Sequence, residues 1–444
     1  MLQPVSRVVD LLDPALNVLF NMDAAAARAA VGSGSPEAVR GIDGSFALVA
    51  RDGITVRIAR SLDRPVRYFL AKRAAGPALF VADRIDTLHR ALADEGLADQ
   101  FHPTYTRMVP AHHVITLQLV GCPDPDPDYA RFFTPARASL PADLDAIGAA
   151  YIGALAAELS KWIEHVERSP GGQAAPIGVC FSGGIDSGAV LVVTEHVMRK
   201  LGLSPARLKA FTLNLGDGPD LQQAREFVAR LGMDLYLEEI SATPDALDLG
   251  ETLRVLEDYK PLDVECASVA LLLHRGIRER YPEWRYLVDG DGGDENLKDY
   301  PIEENPELTI RSVVDNLMLY HEGWGVGRIK HSLTYSGGLS RSYVRGYAPA
   351  RKYGFEDFSP FTRPSVIEVA EGIPFAALTQ YDVPALYSLK GEIVRRGVEA
   401  LTGRTMPVFP KRRFQHGAVP EAVLRDRVGA AEREYRRQFL AMYA

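Results

Sequence analysis

Between residues 177 and 290 short apolar runs alternate with amphipathic stretches, and this rhythm leaves the chain few architectures to choose from. IGVCF, LKAFTLN, DLYLEEI and RYLVDG read as strands of about five residues. SGAVLVVTEHVMRKLG and LQQAREFVARLG between them read as helices. Buried strands separated by helices pair in parallel, because each crossover returns the chain to the same end of the sheet. The expected fold class is therefore α/β, with a doubly wound parallel sheet whose ligand lies beyond the carboxyl ends of its strands.

Upstream the pattern differs. SFALVAR, ITVRIAR, VRYFLAK and ALFVA, followed by HHVITLQL, are rich in β-branched and aromatic residues and are separated by Gly, Asp or Pro, which predicts a mainly antiparallel β-rich domain. CPDPDPDY breaks regular structure, and TPARASLPADLDA reads as a linker into a helix over about 142–168. We place the division at 1–140 and 141–444; 444 residues suffice for two cores. Beyond about 305 the chain reads as mainly helical, with long irregular stretches.

Composition narrows the function classes. With 47% hydrophobic and 24% charged residues the chain should fold, and a net charge of −8 argues against a nucleic-acid partner. Cys122, Cys180 and Cys266 form no CxxC pair, so neither a disulfide framework nor a zinc site is expected. Neither a signal segment nor a run of about 18 apolar residues occurs, so we expect a cytoplasmic protein without a membrane partner.

Two stretches carry chemistry. Ser182, Gly183, Gly184, Ile185, Asp186 and Ser187 follow the strand at 177–181 and open a helix. Glycines that expose backbone N–H groups, serine hydroxyls and a helix N-terminus make a phosphate cradle, and Asp186 within it suits a Mg²⁺ ligand. A P-loop is disfavoured, because Ala189 stands where the lysine is required. The second stretch, DGDGGDE over 289–295, follows the strand at 286–288. Its four carboxylates repel one another unless a cation lies among them. An EF-hand fails, since Gly293 takes a ligand position, Asp294 replaces the turn glycine and Tyr300 the final glutamate. A solvated acidic turn is the plain alternative.

SGGIDS followed by DGDGGDE about 100 residues later resembles the synthetase half of the asparagine synthetase family. Further along, Gly354, Phe355 and Glu356 before Ser359, Pro360 and Phe361 resemble its E-x-R-x-P-F stretch, and residues 411–417 resemble its K-x-x-F-x-x-G segment. GIDGSFALVARDG, ARSLDRPVRYF and FVADRIDTLHRAL resemble successive strands of its glutamine-hydrolysing Ntn-type sandwich. The resemblance implies ATP and Mg²⁺ as cofactors, cleavage of ATP between the α- and β-phosphates, and adenylation of a carboxylate that an amine then captures. It places the phosphates on residues 182–187 and Gly290, adenine near Leu213, Mg²⁺ on Asp186 and Asp294, the amine at Asp291, and the tetrahedral oxyanion at Lys411. Lys411, Arg412 and Arg413 could equally be a solvated basic cluster. Residues 336–340, SGGLS, echo the first motif without a preceding strand and read as a loop.

The departures matter as much. Glutamine-dependent relatives begin with a nucleophilic cysteine; here the start is Met1, Leu2 and Gln3, and the first cysteine is Cys122 in a Pro/Asp-rich loop without a basic neighbour. The expectation is a degenerate first domain without glutaminase activity, nearer the branch of the β-lactam and carbapenam synthetases, with a role in specialised metabolism. β-Lactam-type members place tyrosine where Asp291 stands, with a later acidic partner at a slot near Ser342. The Phe358 slot normally holds arginine and residues 298–299 a glycine pair, which suggests a substrate other than aspartate. The expected partners are a small-molecule carboxylate and an amine, separate or in one molecule, and a homodimer is left open. An NAD-synthetase-type enzyme would lack the acidic motif, and a non-catalytic relative would lose Asp186 or Asp294.

Overall fold

The computed structural model describes residues 7–73, 77–119, 126–216, 219–300, 302–304, 308–315, 343–410 and 421–444. These residues gather into two compact units, one built on Met1–Thr134 with Arg436–Ala444, the other on Pro135–Gly325 with Val344–Tyr435.

The first unit contains β1 (Arg7–Asp10), β2 (Val18–Leu19), α1 (Ala24–Ser33), α2 (Pro36–Arg40), β3 (Gly44–Ser45), β4 (Ala47–Asp52), β5 (Thr55–Arg60), β6 (Arg67–Ala71), β7 (Ala78–Ala82), α3 (Ile85–Asp94), β8 (Arg107–Met108), β9 (His113–Gln118) and β10 (Asp128–Arg131). One sheet has the order β1-β7-β6-β8, the other β10-β9-β5-β4. Gly53, at φ +57°, makes the tight turn that pairs β4 with β5. Val49, Val56, Ile58 and Ile115 from one sheet share a core with Tyr68, Leu79 and Val81 from the other, which makes the unit a sandwich. All its ladders are antiparallel except β1 on β7. β1 was not foreseen: at four half-exposed residues it has no apolar alternation to read.

The second unit runs α4 (Leu144–Arg168), β11 (Ile177–Cys180), α5 (Ile185–Lys200), β12 (Leu208–Asn214), α6 (Pro219–Leu231), β13 (Leu237–Ser241), α7 (Leu249–Leu256), α8 (Pro261–Arg280) and β14 (Tyr286–Val288). It continues with α9 (Gly293–Leu297), α10 (Ile310–Val314), α11 (Ala348–Lys352), β15 (Glu356–Phe358), α12 (Pro364–Gly372), α13 (Phe375–Thr379) and α14 (Val383–Thr402). Its sheet is parallel throughout, in the order β13-β12-β11-β14-β15. The chain builds outward from β11 through β12 to β13, then crosses to β14 on the other side. The crevice between the carboxyl ends of β11 and β14 is therefore the topological switch point, where such sheets hold ligands. Both motif loops leave the sheet there.

β15 escaped the sequence reading because its three residues, EDF, include two charges. Its alternation also corrects one expectation. Phe358 is buried against Trp162, the rings stacked at 5.1 Å and 3°, and does not line the cavity described below. The missing arginine at that slot therefore changes core packing, whereas Asp357, one residue earlier, takes the opposite side of the sheet.

Helices α4 and α14 cross at a glycine pair. A Cβ on Gly397 would lie 2.2 Å from the Gly148 carbonyl oxygen, and one on Gly148 would lie 2.7 Å from that of Ile393. In an isolated helix Gly→Ala gains about 1 kcal/mol; overpacking of about 1–3 kcal/mol reverses the sign here. G397A should therefore lower the melting temperature, measured by thermal denaturation. A rise would show that the helices do not meet at this point.

Candidate active site

The first motif folds as a tight turn from β11 into α5. Ser182 N–H donates to Ser187 Oγ at 3.2 Å, and Gly184 N–H to Ser182 Oγ at 3.3 Å. Gly184 caps α5 without a side-chain acceptor, so no cap side chain occupies the N–H groups of its first turn, the arrangement that attracts phosphate. Gly183 has φ +73°, and a Cβ there would meet Ala224 backbone nitrogen at 2.7 Å. Its part is to let α6 approach.

The second motif leaves β14 and presses onto the first. A Cβ on Gly290 would stand 2.7 Å from Ser187 nitrogen, and one on Gly293 would stand 2.2 Å from Asp186 Oδ1. Only glycine fits at these two points, and the fit brings Asp186 and Asp294 together. Between them lies Lys390 from α14. Its ammonium is 2.5 Å from Asp186 Oδ2, contacts Asp294 Oδ1 and is 3.5 Å from Asp299 Oδ2. The lysine side chain is 3% exposed. Burial works against its charge, but Asp186, Asp294 and Asp299 outweigh that and hold it protonated well above the usual lysine range.

Lys298 and Asp299 both take structural parts beside the site. Lys298 ends α9 in the left-handed region at φ +58°, a conformation that favours glycine. It is buried and donates to the Val314 carbonyl at 3.0 Å, 5.2 Å from the Phe375 ring centre. Burial pushes its ammonium down to about 8. Asp299 supplies the third carboxylate on Lys390.

A cavity of about 210 Å³ opens over these loops. Ser182, Gly184, Asp186, Ser187, Leu213, Gly290, Asp291 and Asp294 all line it, and Gly183 does not. Lys411, with 412–417, lies outside the described residues, as do Cys122, Ser342 and 336–340. Burial first, then Asp289, raises the Asp291 carboxyl well above the usual range. Cys180 and His274 form a second wall. Burial and the nearby carboxylates push the Cys180 thiol far up, and burial takes His274 down to about 4. The two are therefore neutral at pH 7 and make no nucleophile pair.

Three lining or adjoining residues were missed in the sequence. Lys390 had a readable signal: it sits on the apolar stripe Leu386, Leu389, Ile393, Val394 and Gly397 of α14. Arg345 lines the cavity and pairs with Asp263 at 3.8 Å. Asp357 lies in the unforeseen β15. Neither of these two had a periodic pattern around it.

Residues 172–357 match the profile of a family described as Asparagine synthase. That segment, somewhat under half of the chain, is similar to an asparagine synthase domain. Part of the chain is 27% identical over 129 residues to asparagine synthetase [glutamine-hydrolyzing] 1 of Lotus japonicus, covering 28% of this chain and 22% of that one. A probable asparagine synthetase [glutamine-hydrolyzing] of Acanthamoeba polyphaga mimivirus is 25% identical over 124 residues, covering 27% and 21%. The corresponding enzyme of Gallus gallus is 26% identical over 124 residues, covering 28% and 22%. The alignments thus span about a fifth of the relatives' length. A solved structure titled as a predicted subunit of tRNA methyltransferase, from Methanocaldococcus jannaschii, is 21% identical with a TM-score of 0.18, covering 31% of this chain and 62% of that one. Among the described residues no helix is long and apolar enough to cross a membrane.

The domain's donor set suits a divalent cation only in part. Asp186 and Asp294 already converge on one positive charge, the Lys390 ammonium. Among the described residues no three His, Cys, Asp or Glu side chains are grouped as metal ligands. An ion on this pair would complete its shell with phosphate oxygens and water, as Mg²⁺ does. Lys390→Met removes the ammonium from among three carboxylates and should cost on the order of 3 kcal/mol, the usual penalty for breaking a buried pair. MgCl₂ should then raise the melting temperature of the variant more than that of the parent. Equal responses would show that Asp186 and Asp294 do not hold a cation.

Proposed function

We propose that the chain is an ATP-dependent carbon–nitrogen ligase. It adenylates a small-molecule carboxylate, releases pyrophosphate and passes the acyl group to an amine that this chain does not obtain by hydrolysing glutamine. The observation that carries the reading is the glycine-tight contact of the two loops, which sets Asp186, Asp294 and Lys390 beside the open N-terminus of α5.

Each residue then has a task. The first N–H groups of α5 and the hydroxyls of Ser182 and Ser187 bind phosphate oxygens. Leu213, at the end of β12, offers an apolar edge to adenine. Mg²⁺, when bound, would be held by Asp186 and Asp294 and would offset charge on pyrophosphate. Lys390 adds fixed positive charge on the same side, where the departing group becomes more negative. Asp291, whose carboxyl burial and Asp289 raise above the usual range, takes a proton from the amine. Lys411 is the proposed cation for the tetrahedral oxyanion.

In this reading the amine comes from a source other than glutamine hydrolysed by this chain. Ammonia as that amine is a second reading, favoured by a carboxylate at Asp291 instead of tyrosine. The test is exchange of labelled pyrophosphate into ATP with a panel of amino acids and dicarboxylic acids. At least one acid should support exchange, and D294N should reduce it about 100-fold through lost charge stabilisation. Glutamine labelled in its amide nitrogen should not label the product. No exchange with any acid, or an unchanged D294N, would overturn the proposal.

A further inference from the structure

Asp289 directly follows β14, and Asp357 is the middle residue of its parallel neighbour β15, in register with Leu287. Asp289 lines the cavity beside Asp291, and Asp357 lies outside the lining. A Cβ placed on Gly346 would lie 2.3 Å from Asp289 Oδ2, 3.0 Å from Asp357 Oδ2 and 3.1 Å from Asp291 Oδ2, so three carboxyl oxygens converge on one small space. Asp289 is fixed at both ends: Oδ1 accepts the Asp291 N–H at 2.9 Å and Oδ2 the Ser359 hydroxyl at 3.0 Å. The Asp357 oxygens are buried and, among the described residues, meet no hydrogen-bond partner of good geometry, although the Asp289 carboxyl and the Phe358 N–H lie near enough to act on them. Two carboxylates this close cannot both be charged without a large cost, and one proton between them removes it.

We infer that Asp289 and Asp357 share one proton and serve as a second proton acceptor behind Asp291 in the amine-transfer step. This rests on the ligase reading above. An amine that arrives as an ammonium loses two protons on becoming an amide. The C–N bond forms, the C–O bond to the phosphate of AMP breaks, and AMP leaves with that electron pair. The first proton goes to Asp291. For the second, Asp289 accepts a proton from the Asp291 side while its own passes to Asp357, which leaves both carboxyls neutral until product leaves. Asp357 touches no substrate and acts through Asp289; it is a positioning residue in this scheme.

The groups that face the pair favour its holding a proton. Burial and Asp357 raise the Asp289 carboxyl well above the usual range. Burial raises Asp357 to about 7, with Asp291 adding to the shift and the Asp289 hydrogen bond opposing it. Cys180, on β11, faces all three carboxyls as a neutral thiol. Arg345 and Glu295 act on the same cluster through Asp291, with opposite signs. A carboxyl raised on folding stabilises the fold below its unfolded value, about 4, and that stability is lost as pH rises through about 7.

The experiment has two parts on the full chain. Infrared spectra at pH 6 should show a protonated-carboxyl band that is lost in D289N and D357N, and the fall in melting temperature between pH 5 and 8 should flatten in D357N. Absence of the band overturns the pair without touching the ligase reading. The second part uses an acid that supports pyrophosphate exchange, with ammonium chloride or hydroxylamine as the amine. D357N should slow amide formation relative to exchange by about 10-fold or more with ammonium. The deficit should be smaller with hydroxylamine, which is already neutral at pH 7, and D357E should restore part of the rate. Equal losses in exchange and amide formation would mean a purely structural role, and absence of exchange in the parent would sink the ligase reading instead.

Discussion

The ammonium of Lys390 lies among Asp186, Asp294 and Asp299, and these four side chains come from three stretches of chain far apart in sequence. A buried charge is expensive unless it is surrounded by partners. Each loop that supplies a carboxylate is therefore held in place by the need to face the same lysine. The glycines at 290 and 293 remove the side chains that would keep the loops apart. Attraction and steric permission act together, and the open end of α5 remains available beside them.

The carboxyls of Asp289, just after β14, and Asp357, within β15, obey a different logic. Among the described residues no lysine is paired with Asp289 or Asp357, and in the proposed scheme a proton takes the place of a counter-ion. The cavity thus has a lysine enclosed by carboxylates beside α5 and a cluster of acidic side chains under Gly346. In the proposed reaction the first lies where phosphate gathers negative charge and the second where an amine sheds protons.

Much of this was legible in the chain. The alternation of strand and helix over 177–290 foretold the parallel sheet, and the small residues of 182–187 and 289–295 foretold loops at its carboxyl edge, because both signals are local. Lys390 was hidden for the opposite reason: its partners are 204 and 96 residues away, and only its place on an apolar stripe marks it. Asp357 was harder still, since a three-residue strand gives no period. Phe358 shows the converse hazard. A motif position suggested a substrate contact, and strand alternation turned that side chain into the core against Trp162.

The contact between Gly148 and Gly397 lies seven residues along α14 from Lys390, about 10 Å at the helical rise. How closely two helices touch there fixes how far α14 stands from the sheet, and so how deep the lysine reaches between the loops. The electrostatics of the cavity are in this sense inherited from a steric contact that carries no charge. α14 acts as a lever with its fulcrum at two hydrogens, and any side chain at either glycine would be felt first as a misplaced charge.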